Sequence, residues 1–230
     1  MATISDNLQV VRERIARAAR AAGRDPVSVT LLAVSKGQPV ARIEQARAAG
    51  HQGFGENYVQ EALEKMDALP GLEWHLIGPL QSNKTRLAAE RFAWVHTLER
   101  EKVARRLSAQ RPAGLPPLNV LIQVNVSGEA TKSGVALEAI AALARAVAPL
   151  PRLRLRGLMA VPEPTPDVAL LRNRFRTVKA AFENLKDEFG LDTLSMGMSD
   201  DMESAIAEGA TLVRIGSAIF GERKKERSAA

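Results

Sequence analysis

The chain switches between strand-like and helix-like apolar patterns eight times, and few folds accept that rhythm. Short apolar runs bounded by Gly, Pro, Asn or Asp fall at about residues 29–36, 51–54, 73–77, 94–97, 119–126, 153–161, 193–196 and 212–215. Each is followed by a stretch with helical spacing, at about 39–49, around Glu61, Leu63 and Met66, then 83–92, 100–110, 135–148, a long one ending near Phe189, 200–208, and a last turn from Ser217. Parallel strands need crossovers of this length, and eight of them close a sheet on itself. The expectation is an α/β fold, a single (β/α)8 TIM barrel spanning 1–230, with an extra N-terminal helix. That extra helix is read from Ile4, Leu8, Val11, Ile15 and Ala19, with Ser5 as its cap and Gly23 as its end. No break in composition marks a second domain, and the prolines at 112–117 and 162–166 fit loops. The tail from Arg223 to Ala230 is expected to fray.

Composition narrows the partners. Hydrophobic residues make up 46% and charged residues 25%, so a packed core is expected. There is no cysteine, which rules out disulfides and thiolate metal sites and fits a reducing compartment. The net charge of +6 favours anionic partners. Nucleic acid is discounted, because basic residues sit beside acidic ones and aromatics are only 4%. No apolar run is long enough for a membrane span, and the N-terminus lacks the apolar centre of a signal peptide. Asp6 and Glu13 argue against a transit peptide, so a cytoplasmic protein is expected.

The chemistry concentrates at strand ends. Thr30 to Val34 runs straight into Ser35-Lys36, and Gly37 and Pro39 stop it. A lysine at the carboxyl end of a barrel strand is either a partly desolvated amine that attacks carbonyls or simply the first solvated residue after the strand. Gly197-Met198-Ser199-Asp200 and Gly216-Ser217-Ala218 follow the last two strands, where barrels build phosphate sites; Ser199 and Ser217 either donate hydroxyls there or cap helices. Arg214 interrupts an apolar strand, and inside a barrel it needs a partner, with a salt bridge to another strand as the plainer reading. Together these residues suit a phosphorylated aldehyde held as a Schiff base. Other motifs fail. Gly53-Phe54-Gly55 lacks the rest of a dinucleotide fingerprint, and Gly197-Met198-Ser199 lacks the closing glycine of a nucleophile elbow. His51, His75 and His96 lie on separate elements without ligand spacing and are read as structural.

Five segments in order carry a resemblance. They are Ala33 to Lys36, Phe54 to Glu61, Trp74 to Lys84, Met196 to Glu203 and Val213 to Gly221. They resemble the pyridoxal phosphate homeostasis proteins, whose fold is similar to the N-terminal barrel of alanine racemase without that enzyme's second domain. The resemblance implies that Lys36 forms the Schiff base with pyridoxal 5′-phosphate (PLP), and that Ser199, Gly216 and Ser217 hold the phosphate. It implies that Arg214 faces the pyridine nitrogen and that Asn57 lies at the cofactor's rim. His75 becomes a weaker candidate for the cavity wall, and Lys132 a loop lysine that helps transfer. Many relatives carry a second lysine two positions after the first; here that position is Gln38. The implied function is a monomeric carrier that buffers or delivers PLP to PLP-dependent apo-enzymes, binds neither nucleic acid nor membrane, and has no established turnover. A racemase-like PLP enzyme is the main alternative, and a Schiff-base aldolase of the same fold another. Racemisation needs an acid or base on each face of the substrate imine, and the one tyrosine, Tyr58, is not obviously placed to supply the second.

Overall fold

The computed structural model describes residues 2–128 and 133–221. The strands are β1 (Thr30–Val34), β2 (Gly53–Glu56), β3 (Glu73–Leu76), β4 (Trp94–Leu98), β5 (Leu118–Val124), β6 (Leu153–Ala160), β7 (Thr193–Ser195) and β8 (Leu212–Ile215). All neighbours pair in parallel, and β8 closes on β1 with Leu32 opposite Arg214. The helices are α1 (Ile4–Ala21), α2 (Val40–Ala48), α3 (Val59–Ala68), α4 (Thr85–Arg91), α5 (Glu101–Gln110), α6 (Ile140–Val147), α7 (Val168–Phe189), α8 (Met202–Ala207) and α9 (Ser217–Phe220). The eightfold alternation is therefore a closed (β/α)8 barrel, with α1 as the added helix. No helix of the described residues is long and apolar enough to cross a membrane.

Boundaries shift where hydrogen bonding overrides pattern. Thr3, not Ser5, caps α1: its hydroxyl accepts from Asp6 N–H at 3.1 Å while Asp6 accepts from Thr3 N–H at 2.8 Å, a reciprocal box. The first strand stops at Val34, because Gln38 N–H turns back to the Ser35 carbonyl at 3.0 Å. The helix expected from residue 135 begins at Ile140. Val135 is drawn into a bridge with Val124 instead, and a tight turn over Leu137–Ala139 intervenes. The tail from Arg223 to Ala230 and the loop lysine Lys132 lie outside the described residues.

Two apolar cores form. The larger lies between the barrel wall and the helices and takes the buried stripe of α1 together with residues such as Phe54, Phe175 and Phe220. The smaller, inside the barrel, is Trp94, Leu121 and Met159. The rest of the interior is partly polar, with His75, His96, Ser195 and Arg214 all buried. Barrel interiors are usually filled by branched aliphatic side chains, so polar groups there demand partners.

Candidate functional site

Lys36 is half-buried in the loop after β1, between two anchored residues. Ser35 is fully buried and donates its hydroxyl to Glu56 Oε1 at 2.5 Å. Gly37 N–H donates to Glu61 Oε1 at 2.5 Å. Lys65 joins the two anchors: its Nζ donates to the Ser35 carbonyl at 2.8 Å and to Glu56 Oε1 and Glu61 Oε1 at 2.7 Å each. Lys65 is only 5% exposed and Glu56 is fully buried. Burial pushes the Glu56 carboxyl up, against the pull of the Lys65 ammonium. Glu56 Oε2 has no hydrogen-bond partner among the described residues. The loop that presents Lys36 is thus pinned from below by a desolvated ion cluster. Sequence reading passed over that cluster, although one sign was available. Lys65 lies in the stripe of α3 that also holds Val59, Ala62 and Met66, a position that normally faces a core.

The two glycine–serine turns come together. Ser217 Oγ donates to Ser199 Oγ at 3.1 Å. Neither serine caps a helix. The residue preceding α8 is Asp201, whose carboxylate accepts from Met198 N–H at 2.5 Å, and the residue preceding α9 is Gly216. Both helices are short, six and four residues, so hydroxyls and nearby amides rather than a long helix dipole define this corner. Gly197 has φ +97°, and a Cβ there would lie 2.7 Å from the Ala205 Cβ. A Cβ on Gly216 would approach the Val34 carbonyl to 3.2 Å, next to the Lys36 loop. Helix α1 braces the corner from outside: Arg14 donates to the Ser199 carbonyl at 3.2 Å, and Asn7 to the Ile219 carbonyl at 2.9 Å.

Arg214 is 4% exposed. Its guanidinium donates to Ser195 Oγ at 2.7 Å and to the Ala160 carbonyl at 3.0 Å, and enters no ion pair among the described residues. The salt bridge to another strand is therefore not what satisfies it; a β7 hydroxyl and the last carbonyl of β6 do. Burial lowers its pKa to about 10, countered by the charge of Asp201, and it stays a cation at neutral pH. Asn57 is half-buried after β2 and its backbone packs against Gly78, where a Cβ would meet the Asn57 carbonyl at 2.2 Å. Tyr58 is 64% exposed at the start of α3. Gln38 is buried and accepts from Arg42 at 3.1 Å.

A profile of the alanine racemase N-terminal domain matches residues 6–224. Over 225 residues the chain is 60% identical to the pyridoxal phosphate homeostasis protein of Pseudomonas aeruginosa, with 97% of each covered. The chain belongs to the pyridoxal phosphate homeostasis protein family. It is 55% identical over 229 residues to the family member of Escherichia coli strain K12, covering 97% of this chain and 98% of that one. The solved structure of PipY from Synechococcus elongatus with PLP bound superposes with a TM-score of 0.82 at 34% identity, covering 95% of this chain and 100% of that one. Fold and resemblance thus agree with the expectation from sequence. The donor set of this family member also suits PLP: hydroxyls for a phosphate, a guanidinium that enters no ion pair among the described residues for a ring nitrogen, and an amine on a pinned loop.

Among the described residues no group of three or more His, Asp or Glu side chains is placed to hold a metal ion. His75 is buried inside the barrel, 2.9 Å from His96. Burial holds all three imidazoles neutral: His51 falls to about 4, and His75 and His96 are lowered from the ordinary value. A folded-state pKa below the unfolded 6.5 means that the unfolded chain takes up protons first as pH drops. The stabilisation is complete above that value and is lost as pH falls from it towards 4. For His51 alone, about 2 kcal/mol is gone by pH ~5. Urea midpoints are expected to fall clearly between pH ~7.5 and pH ~5; equal midpoints would contradict neutral buried imidazoles.

Proposed function

We propose that this chain binds PLP covalently through Lys36 and buffers or delivers it to apo-enzymes in the cytoplasm, without catalytic turnover of its own. What supports the reading is that three sequence-distant parts follow or lie on β1, β7 and β8 of one closed barrel, namely the pinned Lys36 loop, the Ser199–Ser217 hydroxyl pair and Arg214, which enters no ion pair among the described residues. Lys36 supplies the amine that condenses with the cofactor's aldehyde, with loss of one water. Ser199, Ser217 and the Gly216 backbone receive the phosphate, and Asn57 lines the rim. When bound, PLP supplies an electron sink, and a cation at its ring nitrogen keeps that nitrogen unprotonated and weakens the sink.

Several features support a carrier over a racemase. The relatives are named for homeostasis rather than for a reaction. Tyr58, the only tyrosine, is exposed. Gln38, tied to Arg42, cannot act as a transfer amine. The reading takes residues 1–230 as one unit, monomeric, that binds neither nucleic acid nor membrane.

The test is to titrate the purified protein with PLP, follow the visible imine band, reduce with borohydride and map the modified residue. A saturable band with the label on Lys36 is expected, with no racemisation of alanine by the loaded protein. A label scattered over surface lysines would remove the site assignment, and sustained turnover would replace the carrier with an enzyme.

A further inference from the structure

The polar groups inside the barrel are not scattered. His75 Nε2 lies 2.9 Å from Glu73 Oε1, and His75 Nδ1 lies 2.9 Å from His96 Nε2. His96 Nδ1 lies 3.2 Å from Ser195 Oγ, and Ser195 Oγ accepts from Arg214 at 2.7 Å. This row crosses the barrel from β4 to β7, which are not neighbours in the sheet. It also descends through it. Arg214 is tied to the carbonyl of the last residue of β6, at the mouth, while Glu73 is the first residue of β3, at the opposite rim, and is half exposed.

The two ends set the direction of every bond. A guanidinium has only donors, and a carboxylate only acceptors. The His75 contact holds the Glu73 carboxyl below its usual range, so Glu73 is an anion. His75 then donates Nε2–H to Glu73, which leaves Nδ1 to accept. His96 donates Nε2–H to it and accepts at Nδ1 from Ser195, whose lone pair receives Arg214. With burial holding both imidazoles neutral, both are Nε2–H tautomers, and no bond in the row can reverse while Arg214 and Glu73 keep their charges.

We propose that Glu73, His75, His96 and Ser195 are positioning residues that form a one-way hydrogen-bond chain, which holds the Arg214 guanidinium at the cofactor site and carries to it the counter-charge of a carboxylate on the far rim of the barrel. A buried cation without such a partner is expensive, and four aligned bonds polarise one another. Placing this carboxylate at the far end leaves Asp201 as the acidic group that faces the guanidinium charge on the near side. Other titratable groups face the row. Arg156 stacks on Trp94 at 4.7 Å, and Trp94 stacks on His75 at 5.2 Å. His51 lies near His75, and Asp201 near Arg214.

The effect on PLP rests on the function proposed above; the tautomers and bond directions do not. The first measurement is therefore nitrogen NMR of histidine-labelled, cofactor-free protein. His75 and His96 are expected as neutral Nε2–H forms at pH ~8. In Ser195→Ala the His96 Nδ1 resonance is expected to move and that of His51 to stay. An Nδ1–H tautomer at either residue, or an unmoved His96, would overturn the chain whether or not PLP binds. The second measurement uses PLP-loaded protein. Ser195→Ala is expected to shift the pH midpoint of the imine spectrum and to weaken PLP binding by roughly 3- to 10-fold. Ser195→Thr, which keeps the hydroxyl, restores both. Glu73→Gln keeps the acceptor but deletes the charge, and it shifts the midpoint in the same direction. Native midpoints in folded Ser195→Ala and Glu73→Gln would show that the chain does not reach the cofactor.

Discussion

Gly157→Ala is expected to be among the most damaging single-methyl additions in this protein, destabilising it by about 3 kcal/mol or more. Gly157 pairs with Thr193 across β6 and β7 and has φ +153°. A Cβ would lie 1.8 Å from the Thr193 carbonyl oxygen and 3.1 Å from a ring carbon of Phe182. Both neighbours are held, one in the sheet ladder and one in the core, so the strand itself must move. The glycine follows a register shift. Val120 faces Leu155 but Leu121 faces Gly157, so Arg156 is an extra residue on β6. That extra residue turns its guanidinium to Asp192 at 2.7 Å and to Asn119 at 2.9 Å. Loss of the bulge disturbs β7, and with it Ser195. Gly114→Ala is the control: nothing lies within 4 Å of a Cβ there. Urea denaturation of both variants decides the matter, since a Gly157→Ala midpoint close to that of Gly114→Ala would refute the packing argument.

Glu56→Ala is the second large effect. It leaves the Lys65 ammonium buried with one partly exposed carboxylate, a change that typically costs about 3–5 kcal/mol. Glu56→Ala with Lys65→Met removes both buried charges and is expected to recover most of that loss, because a well-packed apolar pair can match a buried ion pair. PLP binding should not recover in the double variant. Ser35 loses both the acceptor of its hydroxyl and the donor to its carbonyl, and Glu61, which accepts from Gly37 N–H, loses the Lys65 ammonium that holds it, so the loop carrying Lys36 is no longer firmly pinned. Denaturation curves and PLP titrations of the single and double variants separate the two roles. Recovery of both properties together would make the cluster a matter of stability alone.

These effects mark where the sequence could be read and where it could not. Thr30 to Lys36 was legible because burial of a parallel strand leaves a continuous apolar run, and a lysine at its end is conspicuous. Arg214 was legible for the same reason, as a charge in an apolar strand. Its partner was not. Ser195 is 19 residues away and is an ordinary residue in an ordinary strand. The capping reading of Ser199 and Ser217 was locally reasonable, yet the two hydroxyls meet across 18 residues once β7 and β8 are side by side. Lys65 gave a faint signal from its place on an apolar helix face, whereas Glu56 was visible only as part of a motif.

The sequence by itself determined the eightfold alternation, the closed barrel that satisfies it, and the strand ends at which Lys36 and the two glycine–serine turns stand. Local periods encode these features, because each strand and helix buries its own face. Only the tertiary structure decided which interior side chains touch. His75 meets His96 over 21 residues and His96 meets Ser195 over 99, through a register and tilt that belong to the closed sheet as a whole. Every second residue of a barrel strand points inward, so many polar pairs could have met there. Closure selected one row, and its two charged ends fixed the direction in which its protons point.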